Sequence, residues 1–145
     1  MRCSIAARAA ALGLAVLAPA SALATPPLTV SQPWFRYLLA QVPAGGYMTL
    51  TNASDQPAIL TKASSPACGM LMLHKTIKSG GMEKMVAVPS VTVPANGSFS
   101  FSPGGYHLMC MQPKMAPGET VPVTLSFTGG TELTVSFPVR NAKGQ

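Results

Sequence analysis

The 145-residue chain has 14 prolines, 13 glycines and only 10% charged side chains, with a formal net charge of +6. Its basic residues are scattered, with no dense patch interleaved with aromatics, which argues against a nucleic-acid partner. The four carboxylates, Asp55, Glu83, Glu119 and Glu132, stand far apart and form no evident dyad or triad, so enzyme chemistry has little support.

Residues 1–24 read as an export signal. Arg2 and Arg8 give a positive start, Ala9 to Ala18 an apolar stretch, and Ala22-Leu23-Ala24 a small-x-small cleavage site. A retained membrane anchor is the alternative, but Pro19 interrupts a stretch already short for a span. Cys3 precedes the apolar stretch, which is not where a lipid-acceptor cysteine belongs. The expected product is an exported, soluble, periplasmic protein with no membrane span after cleavage. Its 121 residues, 25–145, suffice for one domain and carry eight basic against four acidic side chains, a net +4.

Thirteen prolines follow residue 24, and Val, Thr and aromatic residues recur in short runs between turn signals. That pattern predicts strands, not helices. In chain order the expected strands are 28–36, 46–52, 58–63, 70–77, 83–88, 98–101, 106–111, 121–127 and 132–139. Between them lie Asn52-Ala-Ser-Asp55, Ser79-Gly80-Gly81, Pro94-Ala-Asn-Gly97, Pro103-Gly104-Gly105, Pro117-Gly118 and Thr128-Gly129-Gly130. Seven to nine strands at this spacing imply an all-β antiparallel sandwich or barrel. In the last hairpin Val121, Val123, Leu125 and Phe127 share one strand face, matched by Leu133, Val135 and Phe137. These are core positions.

The chemistry lies in His74, Met85, His107 and Met109, spaced H-x10-M-x21-H-x-M. Neutral thioether sulfur and imidazole nitrogen suit Cu(I), a soft ion, better than Zn2+, Mg2+ or Ca2+. A hairpin turning at Ser79-Gly80-Gly81 is centred near residue 79.5 and sets His74 opposite Met85. His107 and Met109, two apart on one strand, project from the same face. A single histidine on a strand is usually a surface or core residue, and methionine usually fills gaps. The only two histidines of the chain both fall in this set, however.

Met70 and Met72 share parity with His74, and Met111 with Met109. These, with Met82 and Met115, are read as packing around the site, the alternative being a second thioether site or a transfer path. Trp34, Tyr37 and Tyr47 are read as core or interface aromatics. Cys68 and Cys110 are a candidate disulfide closing a loop of about 43 residues, worth about 4 kcal/mol. Thiolate ligation competes with that reading, as do two free buried thiols. Cys110 is out of phase with His107 and Met109, which favours the disulfide.

The segments LHKTIKSGGMEKM, VPANGSFSFSPGGYHLMCM and GETVPVTLSF, with Trp34 and GGYMTLTN upstream, closely resemble the PCu(A)C periplasmic copper chaperones. The resemblance spans nearly all of the chain beyond the signal. It implies a cupredoxin-like Greek-key β-sandwich binding Cu(I) through His74, Met85, His107 and Met109. It also implies copper delivery to cytochrome oxidase assembly, often beside a Sco-type thiol protein. Many relatives carry a further methionine where this chain has Thr76, which removes one spare thioether. Other readings are a copper or silver sequestration protein and a metal-free β-sandwich interaction module. A blue-copper electron carrier needs a Cys thiolate on the site, and Cys110 faces away from it.

Overall fold

The computed structural model describes residues 27–145. The expected signal, residues 1–24, lies outside them. Ten strands follow in order: β1 (Leu28–Arg36), β2 (Ala44–Asn52), β3 (Ala58–Ser64), β4 (Cys68–Ser79), β5 (Met82–Ala87), β6 (Val91–Val93), β7 (Gly97–Phe101), β8 (Tyr106–Pro113), β9 (Thr120–Phe127) and β10 (Glu132–Arg140). Among the described residues there is no helix, as the proline and turn spacing requires. The all-β expectation holds.

The strands run β5-β4-β8-β2-β1-β10-β9-β3-β6, with β7 paired to β2 beyond the short stretch where β8 meets it. Every pairing is antiparallel except β1 with β10, a two-rung parallel contact at Phe35↔Val139 and Arg36↔Arg140 that joins the two halves. The halves fold over a core whose fully enclosed side chains include Phe35, Leu50, Leu60, Leu108, Val123, Leu125 and Phe137. Phe35 and Phe137 meet there with ring centroids 5.2 Å apart. The last hairpin pairs Val121 with Phe137, Val123 with Val135 and Leu125 with Leu133, so its alternation does face the core.

Nine of the ten strands follow the sequence reading to within two residues at most boundaries. The tenth, β6, is three residues long and pairs only with β3. Val91 and Val93 are buried, but a two-valine alternation between prolines is too short to stand out from a loop.

Cys68 and Cys110 are joined as a disulfide, with Cα atoms 5.3 Å apart. Cys110 lies wholly in the core, on the face of β8 opposite to His107 and Met109. Neither sulfur is therefore a free thiolate on the histidine face.

Candidate metal centre

Alternation along β4 and β8 sorts their side chains into two faces. Leu71 and Leu73 of β4 and Leu108 and Cys110 of β8 point into the core. The intervening residues point outward, and the antiparallel register sets them directly opposite one another: His74↔His107, Met72↔Met109 and Met70↔Met111.

The β4–β5 hairpin differs from the sequence expectation. Ser79 pairs with Met82, leaving Gly80 and Gly81 as the two central turn residues, with φ of 59° and 77°. A two-residue hairpin of this kind needs positive φ at both central positions, which glycine adopts without strain. The turn is thus centred one residue later than expected. His74 faces Ala87, and Met85 faces Thr76. Because the slip moves Met85 by two positions along the partner strand, it keeps its face and becomes a diagonal neighbour of His74. The expected pairing is wrong, yet Met85 stays on the histidine side of the sheet.

His107 owes its pose to the turn before it. Pro103 and Gly104 occupy the centre of a Ser102–Gly105 turn, with Gly104 at φ 81° and the Gly105 amide donating to the Ser102 carbonyl at 3.0 Å. The Gly105 carbonyl then accepts from the Thr76 amide at 3.1 Å and from His107 Nδ1 at 3.1 Å. A carbonyl can only accept, so Nδ1 carries a proton, and in the neutral ring Nε2 keeps its lone pair. Fixing one ring nitrogen in this way readies the other as a metal ligand.

The two imidazoles are 8% and 5% exposed, with centroids 5.9 Å apart. His74 Nδ1 and Nε2 and His107 Nε2 are all buried without a hydrogen-bond partner. A buried polar atom left unpaired costs about 1–3 kcal/mol. Burial, aided by the neighbouring His107, lowers the His74 pKa below its ordinary value and keeps that ring neutral. Neutral imidazoles with unshared lone pairs are the form that binds a metal.

A cleft of about 330 Å³ opens over this face, and His107, Met109, Met85 and Thr76 are among the residues that line it. Leu38, Val42 and Pro43 form an apolar lip. Gly45, opposite Met109 across β2 and β8, makes room for the Tyr47 phenol, since a Cβ on it would lie 2.6 Å from Tyr47 Oη. Tyr47 is buried, its phenol pKa raised by that burial against the opposing pull of Arg36. Trp34 packs on Tyr47 at 4.9 Å under the Arg140 guanidinium. A bulge between Ser31 and Trp34 sets that aromatic pair opposite one another.

Arg36 is the one charged residue lining the cleft, and no carboxylate does. Among the described residues no three His, Cys, Asp or Glu side chains converge as a metal site. The cleft lining therefore offers no carboxylate cage for a hard cation. Imidazole and thioether are donors of the type a soft ion accepts.

Of the residues named from the sequence, Met85, His107 and Met109 line the cleft, and His74 lies buried opposite His107 without lining it. Sequence reasoning missed Gly45, whose lack of a side chain admits the Tyr47 phenol to the cleft wall, and the Leu38–Pro43 lip. Neither carries a ligand-type signal in the sequence.

The comparisons place this architecture. Residues 28–139 match the family described as "Putative lipoprotein LpqE-like". The protein called "Putative lipoprotein Lxx21020" of Leifsonia xyli subsp. xyli is 34% identical over 91% of this chain and 83% of its own length. A Rickettsia prowazekii protein, RP573, is 32% identical over 66% of this chain and 54% of its own. Among solved structures, apo-DR1885 from Deinococcus radiodurans is 36% identical, with a TM-score of 0.61, covering 96% of this chain and 98% of that one. Its CuI form is 38% identical, with a TM-score of 0.59, over 83% and 81% of the two chains. The copper-bound PCuAC domain from PmoF2 has the same fold, with a TM-score of 0.67 at 23% identity over 82% and 97%. The chain belongs to the LpqE-like family, and its resemblance to the PCu(A)C proteins holds.

Proposed function

We propose that this protein binds Cu(I) through His74, Met85, His107 and Met109 and carries it, without catalysing a reaction, to the assembly of a respiratory oxidase outside the cytoplasm. The observation that carries the reading is the set of three buried, partnerless imidazole nitrogens beside two thioethers. Their desolvation cost is unexplained in a protein that binds nothing, and one lone pair from each ring entering a metal's first shell offsets it for two of the three. The copper-bound and CuI forms of the structural relatives support the same choice of ion.

Neutral donors give the ion a net charge of +1 at the site and leave no thiolate to be oxidised. Met85 is 60% exposed at the cleft mouth, so an incoming dithiol can displace it first and take the ion by stepwise ligand exchange. That suits transfer to a cuproprotein such as an oxidase subunit, or through a Sco-type thiol protein. The Cys68–Cys110 disulfide supports an oxidising compartment, the periplasm. Among the described residues no helix is long and apolar enough to cross a membrane.

Cells whose only copy carries Met109→Leu test the role. The swap keeps side-chain volume and removes one sulfur. Oxidase activity is expected to fall under copper limitation and to return when copper is added. Normal respiration under limitation, combined with sensitivity to excess copper, would instead establish sequestration.

A further inference from the structure

The outward face of β4 and β8 carries more sulfur than the four-residue site uses. Beyond the His74–His107 rung lie Met72↔Met109 and then Met70↔Met111, so every outward position on these two rungs is methionine. Packing in the core does not account for them. Met48 and Met115 belong to the buried core, whereas Met70, Met72, Met109 and Met111 neither belong to it nor pack against it. Met70 is 58% exposed. An aliphatic side chain would serve equally as surface cover, but only a thioether binds a soft metal. Met82 does not extend the row, because its parity places it on the other side of β5 from Met85.

We propose that Met70, Met72 and Met111 form a second, weaker site for a soft monovalent d10 ion, Cu(I) or Ag(I), continuous with the His–Met centre through Met109. This rests on the reading of that centre as a copper site. Directly opposed residues have Cβ atoms about 4.5–5.5 Å apart and diagonal ones about 7–8 Å, within reach of long flexible side chains. Met70 and Met111 form the direct pair, and Met72 is the diagonal neighbour of Met111. Successive rungs are about 6.8 Å apart, so the second site lies one to two rungs from the imidazoles. Three thioethers without an imidazole bind less tightly, and Met109 stands between the two donor sets. An ion held on the outer rungs moves inward by exchanging one sulfur at a time, with no change of oxidation state. Loading from the sheet face and unloading at Met85 then use different ends of one row.

The test is an Ag(I) titration of the purified protein, followed by native mass spectrometry and by NMR of 13C-labelled methionine methyl groups. The first equivalent should shift the Met85 and Met109 methyls, and the second those of Met70, Met72 and Met111. The Met70→Leu/Met111→Leu variant should bind the second ion about tenfold more weakly or worse while the first is unchanged. Met70→Leu alone, at an exposed position, should weaken it in the same direction and guards against a folding defect in the pair. A wild-type protein that takes up one ion only, or a second equivalent indifferent to these substitutions, overturns the second site. A first equivalent that leaves Met85 and Met109 unmoved overturns the primary site instead, so the two failures are distinguishable.

Discussion

His74 and His107 stand directly opposite one another across β4 and β8, and of their four ring nitrogens only His107 Nδ1 has a hydrogen-bond partner. The apo protein thus bears a standing cost at the place where the metal is proposed to bind. Stability and function oppose each other at this rung.

Replacing His74 by leucine should expose that opposition. The variant removes two buried, unpaired nitrogens while filling the same outward position. Apo stability is expected to stay level or rise by about 1 kcal/mol in urea denaturation. Cu(I) affinity should fall sharply in a chelator competition. A variant that loses several kcal/mol of apo stability would show that His74 is a structural residue.

The pH dependence follows from the same ring. The His74 pKa is lowered in the folded state, so below about pH 6.5 the unfolded chain takes up a proton that the folded chain refuses. The unfolded state is favoured to that extent. Apo stability should therefore be fully present above about pH 6.5 and decline as pH falls from there to the folded-state value. Denaturation midpoints from about pH 7.5 to about pH 5 test this, with His74→Leu as the control whose slope should be shallower. An equal slope in both proteins would assign the effect to other groups.

Much of the site was legible because strand chemistry has a period of two. His107 and Met109 share a face in any register, and Cys110, the residue after Met109, must face away. Pairing distance was less legible. Taking Ser79-Gly80-Gly81 as one loop put its centre a residue early, whereas positive φ at both Gly80 and Gly81 fixes the two-residue turn. The error was harmless to the face because it shifted Met85 by an even number of residues. Parity linked Met70, Met72 and Met111 to the site, but packing was the preferred reading. The register places all three on the face of the sheet away from the core, with Met72 and Met111 partly exposed. The cleft was not legible at all, since it depends on the Leu38–Tyr47 stretch meeting Thr76, Met85, His107 and Met109 from distant parts of the sequence.

The disulfide should matter for stability alone. Replacing both Cys68 and Cys110 by alanine opens a loop whose ends are 42 residues apart. A loss of about 4 kcal/mol is expected from chain entropy, read as a lower denaturant midpoint. Cu(I) affinity measured under native conditions should hardly change, because Cys110 lies in the core and away from the histidine face. A large loss of affinity with little loss of stability would instead make a thiolate part of the site.

X-ray absorption at the copper edge of the Cu(I)-loaded protein tests the central claim most directly. The expected first shell contains both sulfur and imidazole nitrogen, from Met85, Met109, His74 and His107. Met109→Leu should reduce the sulfur contribution and leave the imidazole signature in place. A first shell of oxygen and nitrogen alone, unaltered in Met109→Leu, would contradict the account.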